Sequence, residues 1–119
     1  MVKLKLFERA DEQNDVPFFS SECGIYCAHQ DGVLVGFCAF EYEGESVILL
    51  ELDTNPKDMM LAIGLVRAAL TAATNRMKSS VIIKARGSLV NIASYYNIPN
   101  DTELLIETIL DNKECDNTN

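Results

Sequence analysis

Past the middle of the chain the apolar spacing switches from helical to strand-like, and few folds accommodate that switch after a run of short strands. Apolar residues fall at Met59, Ile63, Val66, Leu70, Ala73 and Met77, which form one stripe of an amphipathic helix. The spacing predicts a helix over 55–78. Asn55 serves as its N-cap and Pro56 as its first helical residue, with Asp58 at the positive end of the dipole and Arg76 and Lys78 at the other. Val81 to Ala85 follows as a β-branched run typical of a buried parallel strand. A strand, a helix and a strand in sequence require a right-handed crossover, so the strands before and after this helix should run parallel in one sheet.

The residues before the helix alternate. Val2, Leu4 and Leu6 interleave with Lys3 and Lys5 as in a half-buried strand. Residues 8–22 are polar and contain Pro17; they read as a loop or short helical turn whose Phe18 and Phe19 cap the core. Cys23–Gln30 and Val33–Tyr42 are two strands joined by Asp31-Gly32, a hairpin pair that tolerates positive φ. Gly36, inside the second of these, marks a bulge or a close approach of backbones. Glu43-Gly44-Glu45 turns the chain into a strand over Ser46–Asp53, with Ile48, Leu50 and Leu52 expected on one face and Leu49, Glu51 and Asp53 on the other. Beyond the crossover, a short helix capped by Ser88 should run to Asn97, a strand should cover Thr102–Leu110, and the polar tail 111–119 should fray. The 119 residues then make a single α/β (α+β) domain.

Charge narrows the function. With 10 Lys+Arg against 18 Asp+Glu the formal charge is −8, and no basic stripe is available to neutralise nucleic-acid phosphates. An acidic surface keeps a protein soluble and attracts cationic ligands such as amines. Four cysteines are present, and Cys38 lies in an apolar run as a small buried hydrophobe. Cys23 and Cys27, with only His29 nearby, do not complete a zinc set, so no metal is expected; His29 beside the hairpin reads as a surface residue. No apolar run approaches the ~20 residues that cross a bilayer, and residues 1–9 contain no long apolar segment. A reducing cytoplasm is the expected compartment, with no membrane partner.

The order of elements, together with several short motifs, resembles the GNAT superfamily of acyl-CoA N-acetyltransferases. The motifs are Asp31-Gly32-Val33-Leu34-Val35-Gly36-Phe37, then Glu51 to Pro56, then Ile63-Gly64-Leu65-Val66-Arg67-Ala68-Ala69-Leu70, and finally Asn91, Ala93 and Tyr96 in compressed spacing. The likeness runs from about Cys23 to Pro99. It implies a mixed, mainly antiparallel sheet whose central parallel pair splays apart around the pantetheine arm of acetyl-CoA, with a long central helix beside it. The cofactor contacts it implies are Leu52 and Thr54 on the strand, Met60, Ala62, Ile63 and Gly64 at the start of the helix, and Asn91 beyond. The family's diphosphate loop, Q/R-x-x-G-x-G/A, is altered here. Met59 stands at its basic or amide position, Met60 and Ala62 replace its first two glycines, and only Gly64 remains.

Acyl transfer to an amine needs a base, and often an acid for the departing thiolate. Glu51 and Asp53 lie i, i+2 on one strand face, where the resemblance places the base; a solvated strand face is the plainer reading. Tyr96 stands at the position of the family's acid, with Tyr95 as competitor. Two functions are therefore expected in competition: an acyltransferase using acetyl-CoA on an amine, or a fold-alike binding or dimerisation module without CoA activity. The shortened segment between the first two strands leaves a sheet edge uncovered, which gives a second copy of the chain a place to pair. A roadblock-type α/β fold also pairs a meander with a long helix, but the opening strand Val2–Leu6 argues against it.

Overall fold

A computed structural model of the chain describes residues 2–8 and 23–111. The expectations for 9–22, including Phe18 and Phe19, and for the tail beyond Asp111 lie outside the described residues. The elements are β1 (Val2–Glu8), β2 (Cys23–Gln30), β3 (Val33–Glu43), β4 (Ser46–Thr54), α1 (Met59–Asn75), β5 (Ser80–Ile83), α2 (Ser88–Tyr96), β6 (Glu103–Leu105) and α3 (Glu107–Leu110). The six strands form one mixed sheet in sequence order. Among the described strands only β4 and β5 run parallel, as the crossover through α1 demands.

The β2–β3 turn uses Asp31 at φ 55° and Gly32 at φ 84°, the left-handed pair that the hairpin signal requires. Gly36 is a close-approach point. A β-carbon there would lie 3.1 Å from the Asp53 carbonyl oxygen, from Leu65 Cδ1 and from Thr54 Cγ2. Its absence lets α1 and the end of β4 settle onto β3.

All three helices share one core. Leu65, Val66, Leu70, Leu89, Ile92 and Ile109 join Phe40, Leu49, Leu52, Val81 and Ile83 in a single buried cluster. A smaller cluster of Ile25, Cys27 and Ala39 with Phe37 lies on the alternate strand positions, hence on the opposite face. Burial pushes the Cys38 thiol up to about 12 and raises that of Cys27, so neither is a thiolate at neutral pH.

The expectations for α1, α2, residues 102–110 and β4 need correction. Helix α1 begins at Met59, not Pro56, because the Asn55 amide donates to the Val35 carbonyl oxygen at 2.9 Å and prolongs the β3–β4 ladder. Asp58 is the cap instead; its Oδ1 accepts from the Leu61 amide at 3.1 Å. The stripe is correspondingly shorter, since Met77 lies past the helix end in the left-handed region. Ser88 is the first helical residue of α2 and not its cap; Gly87, at φ 46°, holds the cap position. The stretch Thr102–Leu110 is strand only to Leu105. Ile106, Ile109 and Leu110 then take helical spacing against α1, and the Arg67 guanidinium donates to the carbonyl oxygens of Ile109 and Leu110 at 3.1 and 2.9 Å. On β4, Leu49 and Leu52 share the core face. Leu50 is an extra residue opposite the Ala39–Phe40 step, and this bulge shifts the alternation.

At the other end of β4 the hydroxyls of Ser46 and Ser80 lie 2.7 Å apart, 2.9 and 2.5 Å respectively from Glu103 Oε2. These bonds hold the exposed Glu103 carboxyl below its ordinary value of 4.5. A depressed folded-state pKa contributes stability above the unfolded value and loses it as pH falls through the folded one. Glu103→Gln should therefore lower the melting temperature at about pH 7, and the gap from wild type should narrow below about pH 4.5, as circular-dichroism melts would show.

Candidate active site

The β4–β5 ladder stops early. Parallel pairing runs from Ser46–Ser80 to Leu49–Ile83, and the Lys84 amide makes a last bond to the Leu49 carbonyl oxygen at 3.2 Å. β4 continues to Thr54, and no described strand pairs with residues 50–54 on that side. The bulge at Leu50 falls where the two strands part. A bulge bends its strand and sharpens the local twist, which suits it to open a sheet beside a site.

A cleft of about 320 Å³ lies between the end of β4, the start of α1 and the first turn of α2. Thr54, Lys57, Asp58, Met59, Ala62, Ser88 and Asn91 line it. Thr54 is buried, and its Oγ1 accepts from the Asp58 amide at 2.9 Å, which fixes the approach to the helix. Lys57 Nζ donates to Asp53 Oδ1 at 2.9 Å, both side chains being largely exposed. This bond, with the lysine's charge, holds the Asp53 carboxyl below its usual range.

The cleft brings together Thr54, Ala62 and Asn91 from the expected cofactor set. Leu52 and Ile63 belong to the core beneath it, while Met60 is 76% exposed and does not line it. Gly64 lies one turn further along α1, with open space where a β-carbon would be. Glu51 and Asp53 are exposed together, opposite the core face of β4. Tyr96 ends α2 and is 9% exposed within the core cluster; its ring meets that of Tyr95 edge-on at 5.0 Å.

Lys57, Asp58 and Ser88 are lining residues that the sequence motifs did not single out as site residues, and Met59, which stands at the basic or amide position of the altered loop, lines the cleft with them. Lys57 had one signal, being the sole Lys or Arg between Arg9 and Arg67.

Several solved structures share this architecture, the following three among them. An acyl-CoA N-acyltransferase from Pseudomonas aeruginosa superposes with a TM-score of 0.64 at 14% identity, over 82% of this chain and 86% of the other. The chain has the acyl-CoA N-acyltransferase (GNAT) fold. An IAA acetyltransferase from Bacillus cereus gives a TM-score of 0.62 at 15% identity, over 82% of this chain and 74% of its own. The PaiA N-acetyltransferase from Thermoplasma acidophilum, solved in complex with coenzyme A, gives 0.56 at 19% identity over 65% of this chain. The match spans half the length of that Thermoplasma protein. No protein-family model matches the chain, and no curated protein matches it. The GNAT fold accounts for the strand order, the crossover helix and the parted parallel pair together. Among the described residues no helix is long and apolar enough to cross a membrane, and no cluster of metal-ligating side chains is present.

Proposed function

We propose that the cleft binds an acyl-CoA and that the chain transfers its acyl group to an amine. The observation that carries this reading is the parting of β4 from β5 after Leu49. It leaves residues 50–54 of β4 without a described strand partner on that side, and Thr54 at their end lines the cleft, so an amide-bearing arm can pair there as a strand would. In the GNAT fold this is the gap the pantetheine arm occupies. Thr54, Ser88 and Asn91 supply neutral hydrogen-bonding groups around it.

The amine attacks the thioester carbonyl carbon, the C–S bond breaks, and the ammonium proton passes to a base while the thiolate leaves. Glu51 is the base in this reading, because Asp53 is already engaged by Lys57. Tyr96 is retained as the acid that returns a proton to the thiolate; Tyr96→Phe tests it by its effect on kcat. The acidic surface favours a cationic acceptor.

Calorimetric titration with acetyl-CoA tests the binding step, with wild type expected to bind. Asn91 is exposed on the cleft wall, so Asn91→Trp fills the space without entering the core. It should weaken binding about tenfold, or about 1.4 kcal/mol. Absence of heat at millimolar ligand would favour the second reading, a GNAT-fold binding or dimerisation module. That reading draws on Asp58, whose carboxylate already caps the helix end facing the cleft.

A further inference from the structure

We infer that this cleft recognises its donor by the pantetheine arm and not by the diphosphate, so that acyl-pantetheine thioesters bind as well as acyl-CoA. The inference rests on the acyl-donor reading above and names the substrate class for that site. A helix N-terminus holds a diphosphate when its first amides are unsatisfied and its dipole meets no other anion. At α1 the chain supplies that anion itself. Of the end amides, that of Leu61 is given to Asp58 Oδ1 at 3.1 Å and that of Asp58 to Thr54 Oγ1 at 2.9 Å. A diphosphate placed there would meet a carboxylate.

The remaining charge does not compensate. Among the described residues Lys57 is the one cation lining the cleft, and its Nζ is bound to Asp53 Oδ1 at 2.9 Å. The start of α2 offers little in exchange, since the Leu89 and Val90 amides bond the carbonyl oxygens of Arg86 and Gly87 at 2.9 and 3.2 Å. What is left on the walls is neutral: the Thr54 and Ser88 hydroxyls, the Asn91 amide and the apolar Met59 and Ala62. Those groups match the two amides and the alkyl segments of pantetheine, and none of them carries a positive charge to offset a diphosphate.

The test is calorimetric titration of the whole chain with S-acetyl-pantetheine and with acetyl-CoA, repeated on Asp58→Asn. Asparagine keeps the cap and removes its charge. In wild type the two Kd values should agree within about threefold, and Asp58→Asn should tighten acetyl-CoA about tenfold relative to S-acetyl-pantetheine. Acetyl-CoA binding more than about tenfold tighter than S-acetyl-pantetheine in wild type would overturn the inference and leave the acyl-donor reading standing. An Asp58→Asn protein whose two affinities are both unchanged would overturn the role given to Asp58. If neither thioester binds, the inference and the reading fall together.

Discussion

Phe40→Ala should lower the free energy of unfolding by about 4 kcal/mol. Phe40 is fully buried on the helix-facing side of β3, next to the bulge step and opposite Leu49. Its ring also meets that of Tyr42 at 5.5 Å with a 53° tilt. Truncation removes the ring from a position where α1, β3 and β4 meet, and strands paired on both sides cannot collapse into the void. Phe40→Leu retains most of the apolar volume and should cost markedly less. Urea unfolding followed by circular dichroism measures both, and a loss below about 1 kcal/mol for the alanine variant would mean that Phe40 is not the core anchor described.

Glu51→Gln should reduce kcat for amine acetylation by about a hundredfold or more, with acetyl-CoA affinity unchanged. The prediction comes from the different surroundings of two neighbouring carboxylates. Asp53 is tied to Lys57 at 2.9 Å and held below its usual pKa range, which makes it the poorer proton acceptor near neutral pH. Glu51 is exposed on the same strand face, with no hydrogen bond or ion pair to a described residue. Asp53→Asn should therefore have the smaller effect on kcat. A reversed order, with Asp53→Asn the more damaging, would transfer the base role to Asp53. Thiol release from acetyl-CoA with a panel of amines provides the rate, and titration of each variant provides the affinity.

The parts of the fold legible in the sequence were those fixed by short-range chemistry. Asp31-Gly32 fixed a hairpin because few residue pairs accept consecutive positive φ values. The stripe Ile63, Val66, Leu70 and Ala73 is buried on α1, as the helical period requires. Local spacing assigns the start of that helix to Asn55, whereas Asp58, which is also a good cap residue, holds it. The choice was made by a bond between Asn55 and Val35, twenty residues away, which local spacing does not carry. The bulge at Leu50 was hidden for the same reason: it is a property of register against β3, and an alternating reading of β4 misassigns Leu50. The cleft was legible in part. Thr54, Met59, Ala62 and Asn91 fall in the motifs that resemble a known family, whereas Lys57, Asp58 and Ser88 reach the cleft through the turn before α1 and the first residue of α2. Their convergence depends on how those elements pack, and no motif spans it.

The most direct test of the donor site is an amide-resolved NMR titration of the labelled chain with acetyl-CoA. Binding in the parted strand pair predicts shifts confined to the amides of residues 50–54 on β4, the start of α1 and the first turn of α2, with the β1–β2 pair unmoved. No shift at millimolar acetyl-CoA, or shifts centred away from the β4–β5 gap, would contradict it.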